Sequence, residues 1–285
     1  MNNKIAKVLG LIPDSLYLRM RYFMHTKKLL SLRNPKRFNE KLQWLKLYNR
    51  KPEYTRMVDK YEAKLYVSDL IGEEYIIPTL GVWDDPDEID FDALPERFAL
   101  KCTHNSGKGM YICKDKSKMN KEAVKEGLRS GLKQNYYLFN REWPYKNVKP
   151  RIIAEQYIEE CSGADLIDYK FYCFNGEPRF LYVSQGLAHD ETACINYVTL
   201  EWEKAEFKRN DYQEFKTLPP KPQNFDKMIE LSKRLSDNVP FLRVDFYNIN
   251  GKIYFSELTF SPGAGFTKFD PPEWDEKIGE WIRLH

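Results

Sequence analysis

Near the C-terminus, Arg243-Val244-Asp245-Phe246-Tyr247 and Lys252-Ile253-Tyr254-Phe255-Ser256-Glu257-Leu258 flank Asn248-Ile249-Asn250-Gly251, and this segment constrains the chain more than any other. Alternating apolar runs on either side of Asn-Gly spell a tight hairpin. Its strands can set Asp245 and Glu257 side by side among Val, Phe and Ile, where a bare carboxylate is costly. Two carboxylates held together in such surroundings favour a divalent cation, which removes both the repulsion and the desolvation penalty. Oxygen ligands beside a source of phosphate favour magnesium. The near-isosteric amides of Asp245→Asn or Glu257→Gln would relieve repulsion in the empty pair, so folding is expected to tolerate either.

The 285 residues suffice for two domains, or for one large domain with an extension. No apolar run approaches about 18 residues, so no membrane-crossing helix is expected. Asp14, Arg19 and Arg21 interrupt any signal-peptide core. Five cysteines without a Cys-x-x-Cys spacing read as a reduced, cytosolic chain in which Cys102, Cys113, Cys161, Cys173 and Cys194 are small core residues. Charge is uneven: residues 1–51 hold thirteen Lys or Arg against Asp14 and Glu40, a balance of +11, while the whole chain is only +3. Such an arm suits an anionic membrane surface or a polyanionic polymer, or else packs onto the acidic remainder.

Periodicity predicts helices over 2–11, 15–30, 39–49, 54–69, 121–132 and 225–235. Strands are predicted over 98–102, 110–113 and 151–158. A hairpin is predicted from 169–174 and 179–184 around Asn175-Gly176, followed by the final hairpin. His104-Asn105-Ser106-Gly107-Lys108-Gly109 joins two strands, and its glycines let backbone amides approach a phosphate. It lacks the spacing of a Walker A loop.

The order of motifs is more specific than any one of them. Asp59-Lys60 is followed by Leu100-Lys101 with its Ser-Gly-Lys-Gly loop, then Ala154-Glu155-Gln156-Tyr157-Ile158 and Asp168-Tyr169-Lys170. Arg243-Val244-Asp245 and Glu257-Leu258-Thr259-Phe260-Ser261-Pro262-Gly263 close the series. This series resembles the ATP-grasp superfamily, and with Phe38-Asn39-Glu40-Lys41-Leu42 and the basic helical N-terminus it resembles the TupA-like branch, named for a teichuronopeptide biosynthesis protein. The resemblance covers roughly residues 35–270. It implies an α+β fold of two subdomains that grip ATP between them, preceded by a helical basic extension. The expected domains are an arm, 1–51, and an ATP-grasp domain, 52–285, whose first subdomain ends near 155 and whose second holds the metal site.

By the same resemblance, Lys60 and Lys101 hold nucleotide phosphates and Ser106, Gly107, Lys108 and Gly109 form a phosphate flap. Glu155 and Tyr157 contact adenine, Asp168 the ribose and Lys170 a phosphate. Arg243 stabilises the transferring phosphoryl group, Asp245 and Glu257 bind Mg2+, and Ser261 and Gly263 touch the acceptor. Thr259 stands where most of the superfamily has Asn, and its hydroxyl is a poorer oxygen ligand for the metal than an amide carbonyl. The activity implied is an ATP-dependent carboxylate–amine ligase that makes an amide through an acyl phosphate. Its acceptor would be a uronic acid or acidic amino acid of a bacterial surface polysaccharide or capsule, and its donor an amine. A cytoplasmic protein, peripheral on the inner face of the membrane, is expected, without a nucleic-acid partner. A sugar kinase on the same fold stays open, as does a metal-dependent glycosyltransferase using Asp90-Phe91-Asp92.

Overall fold

The computed structural model describes residues 9–107, 109–159, 165–186 and 193–284. Chain contacts divide it into two compact units. The first contains Arg50–Tyr66 and Ile76–Ile158, with the described residues up to Pro13; the second contains Asp14–Asn49, Val67–Tyr75 and Glu159–His285. In chain order the helices and strands are α1 (Asp14–Thr26), α2 (Phe38–Tyr48), α3 (Glu53–Val58), α4 (Glu62–Ile71), β1 (Thr79–Trp83), β2 (Phe98–Cys102) and β3 (Met110–Cys113). There follow α5 (Lys121–Leu132), α6 (Tyr137–Asn140), β4 (Ile152–Gln156), β5 (Ile167–Phe174), β6 (Glu177–Gln185), β7 (Cys194–Thr199), α7 (Phe225–Ser236), β8 (Phe241–Ile249), β9 (Lys252–Thr259) and α8 (Trp274–Glu280). The chain is α+β, as its sequence predicts.

The first unit is built on an antiparallel sheet of order β1-β4-β2-β3. Alternation in β2 buries Phe98, Leu100 and Cys102 against Val124 and Leu128 of α5. The second unit has an antiparallel sheet of order β7-β6-β5-β8-β9. Through Phe225, Met228, Leu231 and Leu235, α7 covers one face of it. The other face carries an aromatic core, including Tyr172, Phe174, Phe180, Tyr197 and Phe241, closed by Phe38 and Leu42 of α2 and Ile278 of α8. Residues 38–48 of the basic segment are therefore part of this core.

Several boundaries differ from the sequence reading. The single helix expected over 54–69 breaks at Asp59, whose Oδ1 accepts hydrogen bonds from the amides of Tyr61 (2.8 Å) and Glu62 (3.2 Å) and so starts α4. The helix expected over 15–30 ends at Thr26, because Lys27 turns left-handed at φ 58°. Of the helix expected over 2–11, residues 2–8 lie outside the described residues. Strand β7 and helix α8 were not anticipated, since Asn196 interrupts the one and the other is only 7 residues long. Cys102, Cys113 and Cys173 are buried thiols and Cys194 is partly exposed, while Cys161 lies outside the described residues.

Phe38 is fully buried, with its ring 5.0 Å from that of Phe241 and 5.9 Å from that of Phe269. Phe38→Ala is expected to lower stability by about 3–5 kcal/mol. Urea denaturation of the full chain measures this, and a loss below ~1 kcal/mol would mean that α2 is not part of the core.

Candidate active site

In the first unit, β2 and β4 pair Ala99 with Glu155 and Lys101 with Ile153, so Lys101 and Glu155 are diagonal neighbours on one face. Glu155 is buried, and its two oxygens are divided between Lys64 Nζ at 2.5 Å and Lys101 Nζ at 2.6 Å. Lys64 also donates to the Ile77 carbonyl at 2.6 Å. Burial alone would raise the Glu155 pKa, but the two lysines hold it down at about 2. The side chain assigned by resemblance to adenine is thus engaged as the counter-ion of two lysines. Lys64 escaped sequence reasoning; a second lysine one turn after Lys60, inside the helix predicted over 54–69, was the available signal.

Lys60, between α3 and α4, holds the segment that leads from β2 into the glycine loop. Its amide donates to the Thr103 carbonyl at 3.1 Å, and its Nζ to the Asn105 carbonyl. The loop's entry is fixed by Asn105, whose Nδ2 donates to the Gly131 carbonyl at 3.2 Å, and by His104 against the Gln134 carbonyl at 3.1 Å. Its tip, Ser106 and Gly107, is exposed. The two glycines have different reasons. Gly107 adopts φ 86° with open space around it, whereas Gly109 lies against Cys102 Sγ, and a Cβ on its partner Gly131 would come 2.6 Å from the Gly109 Cα. Lys108 lies outside the described residues. Tyr157 faces the Arg97 guanidinium at 5.1 Å.

In the second unit, cross-strand register aligns Tyr197, Tyr182, Lys170, Asp245 and Glu257 in one row across all five strands. The turn residues Asn250 (φ 52°) and Gly251 (φ 80°) give the hairpin expected of Asn-Gly. Regular pairing from that turn would place Ser256 opposite Asp245. A bulge between Asp245 and Phe246 instead brings Glu257 opposite Asp245, on the same face. Asp245 has no solvent exposure. It accepts from Arg243 Nε (2.7 Å) and Nη2 (2.6 Å) and from Lys170 Nζ (3.2 Å). The same Nη2 reaches Glu257 Oε1 at 2.6 Å, and Thr259 Oγ1 lies 3.2 Å from that oxygen. Asp168 accepts from Lys170 at 2.9 Å and from Ser184 at 3.4 Å. Burial opposes charge on Lys170 and Arg243, yet the carboxylates hold both cations well above their ordinary pKa values. Asp168 and Lys170, assigned by resemblance to ribose and phosphate, are here bonded to each other.

The convergence of Asp245 and Glu257 on one guanidinium nitrogen tests whether a metal fits. Three carboxylates, Asp168, Asp245 and Glu257, gather about Lys170 and Arg243. Among the described residues no group of three or more His, Cys, Asp or Glu is placed to hold a metal alone. A hard cation bound through one or two carboxylates, with its shell completed by phosphate oxygens, suits that donor set.

The loop after β9 is fastened by α2. Gln43 Nε2 donates to the carbonyls of Ala264 (3.1 Å) and Gly265 (2.9 Å), and Lys46 Nζ to that of Ala264 (2.7 Å). Gly263, Ala264 and Gly265 are all left-handed, and a Cβ on Gly265 would collide with the Gln43 amide. Asn39 adds bonds to the Thr267 carbonyl at 2.8 Å and to Asp275 at 2.9 Å. Ser261, at the loop's start, is buried. Gln43 and Lys46 were not singled out in the sequence. By contrast, Asp90 Oδ1 caps the amides of Asp92 and Ala93, and Asp92 pairs with Lys121 at 2.7 Å, so the Asp-x-Asp triplet is occupied as a surface turn.

A family model described as TupA-like ATPgrasp matches residues 40–283. The chain belongs to this ATP-grasp family. No curated protein matches it. Among solved structures it is similar to a D-alanine–D-alanine ligase from Helicobacter pylori, at 16% identity and a TM-score of 0.45, over 86% of this chain and 69% of that one. It is also similar to a D-alanine–D-alanine ligase from Bacillus anthracis complexed with ATP, at 13% identity and a TM-score of 0.42, over 72% and 53% of the two chains. A third similar structure is the ATP-grasp ligase PsnB with a precursor variant, Mg and ADP, at 10% identity and a TM-score of 0.41, over 77% and 56%. At these TM-scores the likenesses add nothing to the family match.

The Glu155 pair gives a pH signature. Its carboxyl is held below the ordinary 4.5, at about 2, so its stabilisation is complete above pH 4.5 and is lost as pH falls toward 2. The shift corresponds to on the order of 3 kcal/mol. Glu155→Gln should flatten that part of the stability–pH curve and, by leaving Lys64 buried beside a neutral amide, lower stability at pH 7 by roughly 3 kcal/mol. Urea melts at neutral and acid pH provide the comparison; equal stability at pH 7 would place the Glu155 carboxylate in solvent.

Proposed function

We propose that this protein is an ATP-dependent carboxylate–amine ligase. The observation that carries the reading is Arg243 bridging Asp245 and Glu257 on the bulged hairpin, within a chain of the TupA-like ATP-grasp family. Lys60, Lys101 and the amides of the 106–109 loop hold the phosphates of ATP. Lys101 is the more exposed of the two Glu155 partners, at 28% against 7% for Lys64, and is the one that turns to phosphate. Glu155 positions it. The backbone around Glu155 and Tyr157 contacts adenine. Mg2+, held by Asp245 and Glu257 with Thr259 beside them, would neutralise charge on the phosphates when bound.

The acceptor carboxylate oxygen attacks the γ-phosphorus, the bond to the β,γ-bridging oxygen breaks, and ADP leaves. Arg243 then exchanges a carboxylate partner for the phosphoryl oxygens, where its planar fork stabilises spreading negative charge. Lys170 stays with Asp245 and preserves the pair's charge while Arg243 is engaged. An amine next attacks the acyl carbon, phosphate departs with the bonding electrons, and the amine's surplus proton is released. The 106–109 loop keeps water from the acyl phosphate. The Ser261–Gly263 segment, fixed from behind by Gln43 and Lys46, meets the acceptor. In this reading the acceptor is a uronic acid or acidic amino acid of a bacterial surface polysaccharide, by resemblance to the TupA-like branch.

The two carboxylates are expected to behave differently on substitution. Glu257 has a side chain 43% exposed, so Glu257→Gln should leave stability nearly unchanged and lower ATP-dependent turnover by on the order of a hundredfold. Asp245→Asn removes the central anion from between two buried cations and should also cost about 3–5 kcal/mol of stability. That reverses the tolerance expected from the sequence, where the cations about Asp245 are not visible. Normal turnover by Glu257→Gln would remove the metal assignment.

Trapping separates the ligase from a kinase. With ATP and a screen of uronic acids and acidic amino acids, but no amine, hydroxylamine should convert the acyl phosphate to a hydroxamate in step with ADP. Arg243→Met should suppress both products. ADP release with a stable phosphorylated sugar and no hydroxamate would identify a kinase instead.

A further inference from the structure

Helix α1 is apolar on two sides. Tyr17, Leu18 and Tyr22 are buried, with Leu18 and Tyr22 packing among Leu30, Leu32, Trp44, Leu47 and Phe266 of the second unit. On the opposite side Leu16, Met20, Phe23 and Met24 are each 50–59% exposed, and Leu29 just beyond the helix is 83% exposed. The spacing i, i+4, i+7, i+8 puts the four helical residues in one stripe. A contiguous exposed stripe of large apolar side chains is a costly surface unless something covers it. Arg19 flanks the stripe on one side, where it also donates to the Leu30 carbonyl at 3.0 Å, whereas Arg21 and His25 turn to the packed side, where His25 stacks on Phe266 at 4.4 Å and the Arg21 guanidinium lies over the same ring. Lys27, Lys28 and Arg33 follow in the next turn of chain. Arg21, Lys27 and Lys268 stand close enough to His25 to disfavour its protonation further, beyond the effect of its burial.

We propose that this face of α1 lies on an anionic lipid surface, with Leu16, Met20, Phe23, Met24 and Leu29 in the acyl boundary and the flanking cations among the headgroups. An apolar stripe bordered by Lys and Arg is the arrangement by which a helix binds in the plane of a bilayer. No described helix is long and apolar enough to cross a membrane, so the contact is with its surface. A second copy of the chain is a poorer occupant. Parallel two-fold pairing of the stripe would bring Arg19, Lys27 and Lys28 of each copy together. The inference is independent of the ligase reading, since docking needs neither ATP nor acceptor.

The test is co-sedimentation of the full chain with phosphatidylcholine vesicles, with and without about one-third phosphatidylglycerol, at low and high salt. Wild type should bind the anionic vesicles and release in salt. Leu16→Ser, Met20→Ser, Phe23→Ser and Met24→Ser combined should weaken binding about tenfold or more, with the melting temperature little changed because these side chains are exposed. Lys27→Glu with Lys28→Glu should weaken it about fivefold for each charge removed. Three results would overturn the proposal: no vesicle binding by wild type, equal binding by the serine variant, or a dimer in sedimentation equilibrium that the serine variant dissolves.

Discussion

The fully buried carboxylate of Asp245 determines much of the second unit. An ionised group without solvent must be paired where it sits, and Arg243 and Lys170 supply that pairing from its own strand and the neighbouring one. This arrangement needs the row from Tyr197 to Glu257 to be in register, because a one-residue slip would turn the ion cluster onto the face covered by α7. The bulge beside Asp245 adds Glu257 to that row. The sheet's pairing, its bulge and the charged cluster therefore specify one another.

Each unit places a buried carboxylate among cations. In the first, Glu155 is shared by Lys64 and Lys101. In the second, Asp245 is shared by Arg243 and Lys170, with Asp168 and Glu257 at the far side of those two cations. A buried counter-ion also fixes the long side chains of Lys101 and Arg243, so less conformational entropy is lost when they engage a ligand. The same pairing explains why neither carboxylate acts as a bare group.

Periodic elements with long-range consequences were legible in the sequence. The Asn-Gly hairpin, α5, α7 and strands β2 to β4 all follow from alternation or helical spacing together with turn residues. The order of short motifs was enough to indicate the family. Partner choice was not legible. Glu155 reads as a ligand-facing carboxylate until the tertiary structure brings Lys64 to it, and Asp168 reads likewise until Lys170 and Ser184 close on it. The facing of Asp245 and Glu257 was anticipated from an ordinary hairpin, but strict pairing from Asn250-Gly251 would have set Ser256 there. A bulge has no signature in the local pattern when every residue around it favours a strand.

The Phe38-Asn39-Glu40-Lys41-Leu42 stretch carries family resemblance without an evident chemical role, and the structure supplies a physical reason for it. Phe38 and Leu42 anchor α2 in the aromatic core, Glu40 caps the helix through the amides of Lys36 (3.0 Å) and Arg37 (3.1 Å), and Lys41 holds the Ile282 carbonyl at 2.8 Å. These contacts fix the helix rigidly enough for Gln43 and Lys46 to capture the carbonyls of a loop running through three successive left-handed residues. Within the loop the Ala264 amide donates to the Ser261 carbonyl at 2.8 Å and the Phe266 amide to the Gly263 carbonyl at 3.0 Å, while Ala264 pays a steric penalty that the glycines do not. The carbonyls of Ala264 and Gly265 are held from outside, by a helix more than two hundred residues earlier in the chain. The proposed acceptor-facing segment is thus shaped by the N-terminal part of the sequence, and the composition that makes residues 1–51 look like a detached basic arm conceals a structural support.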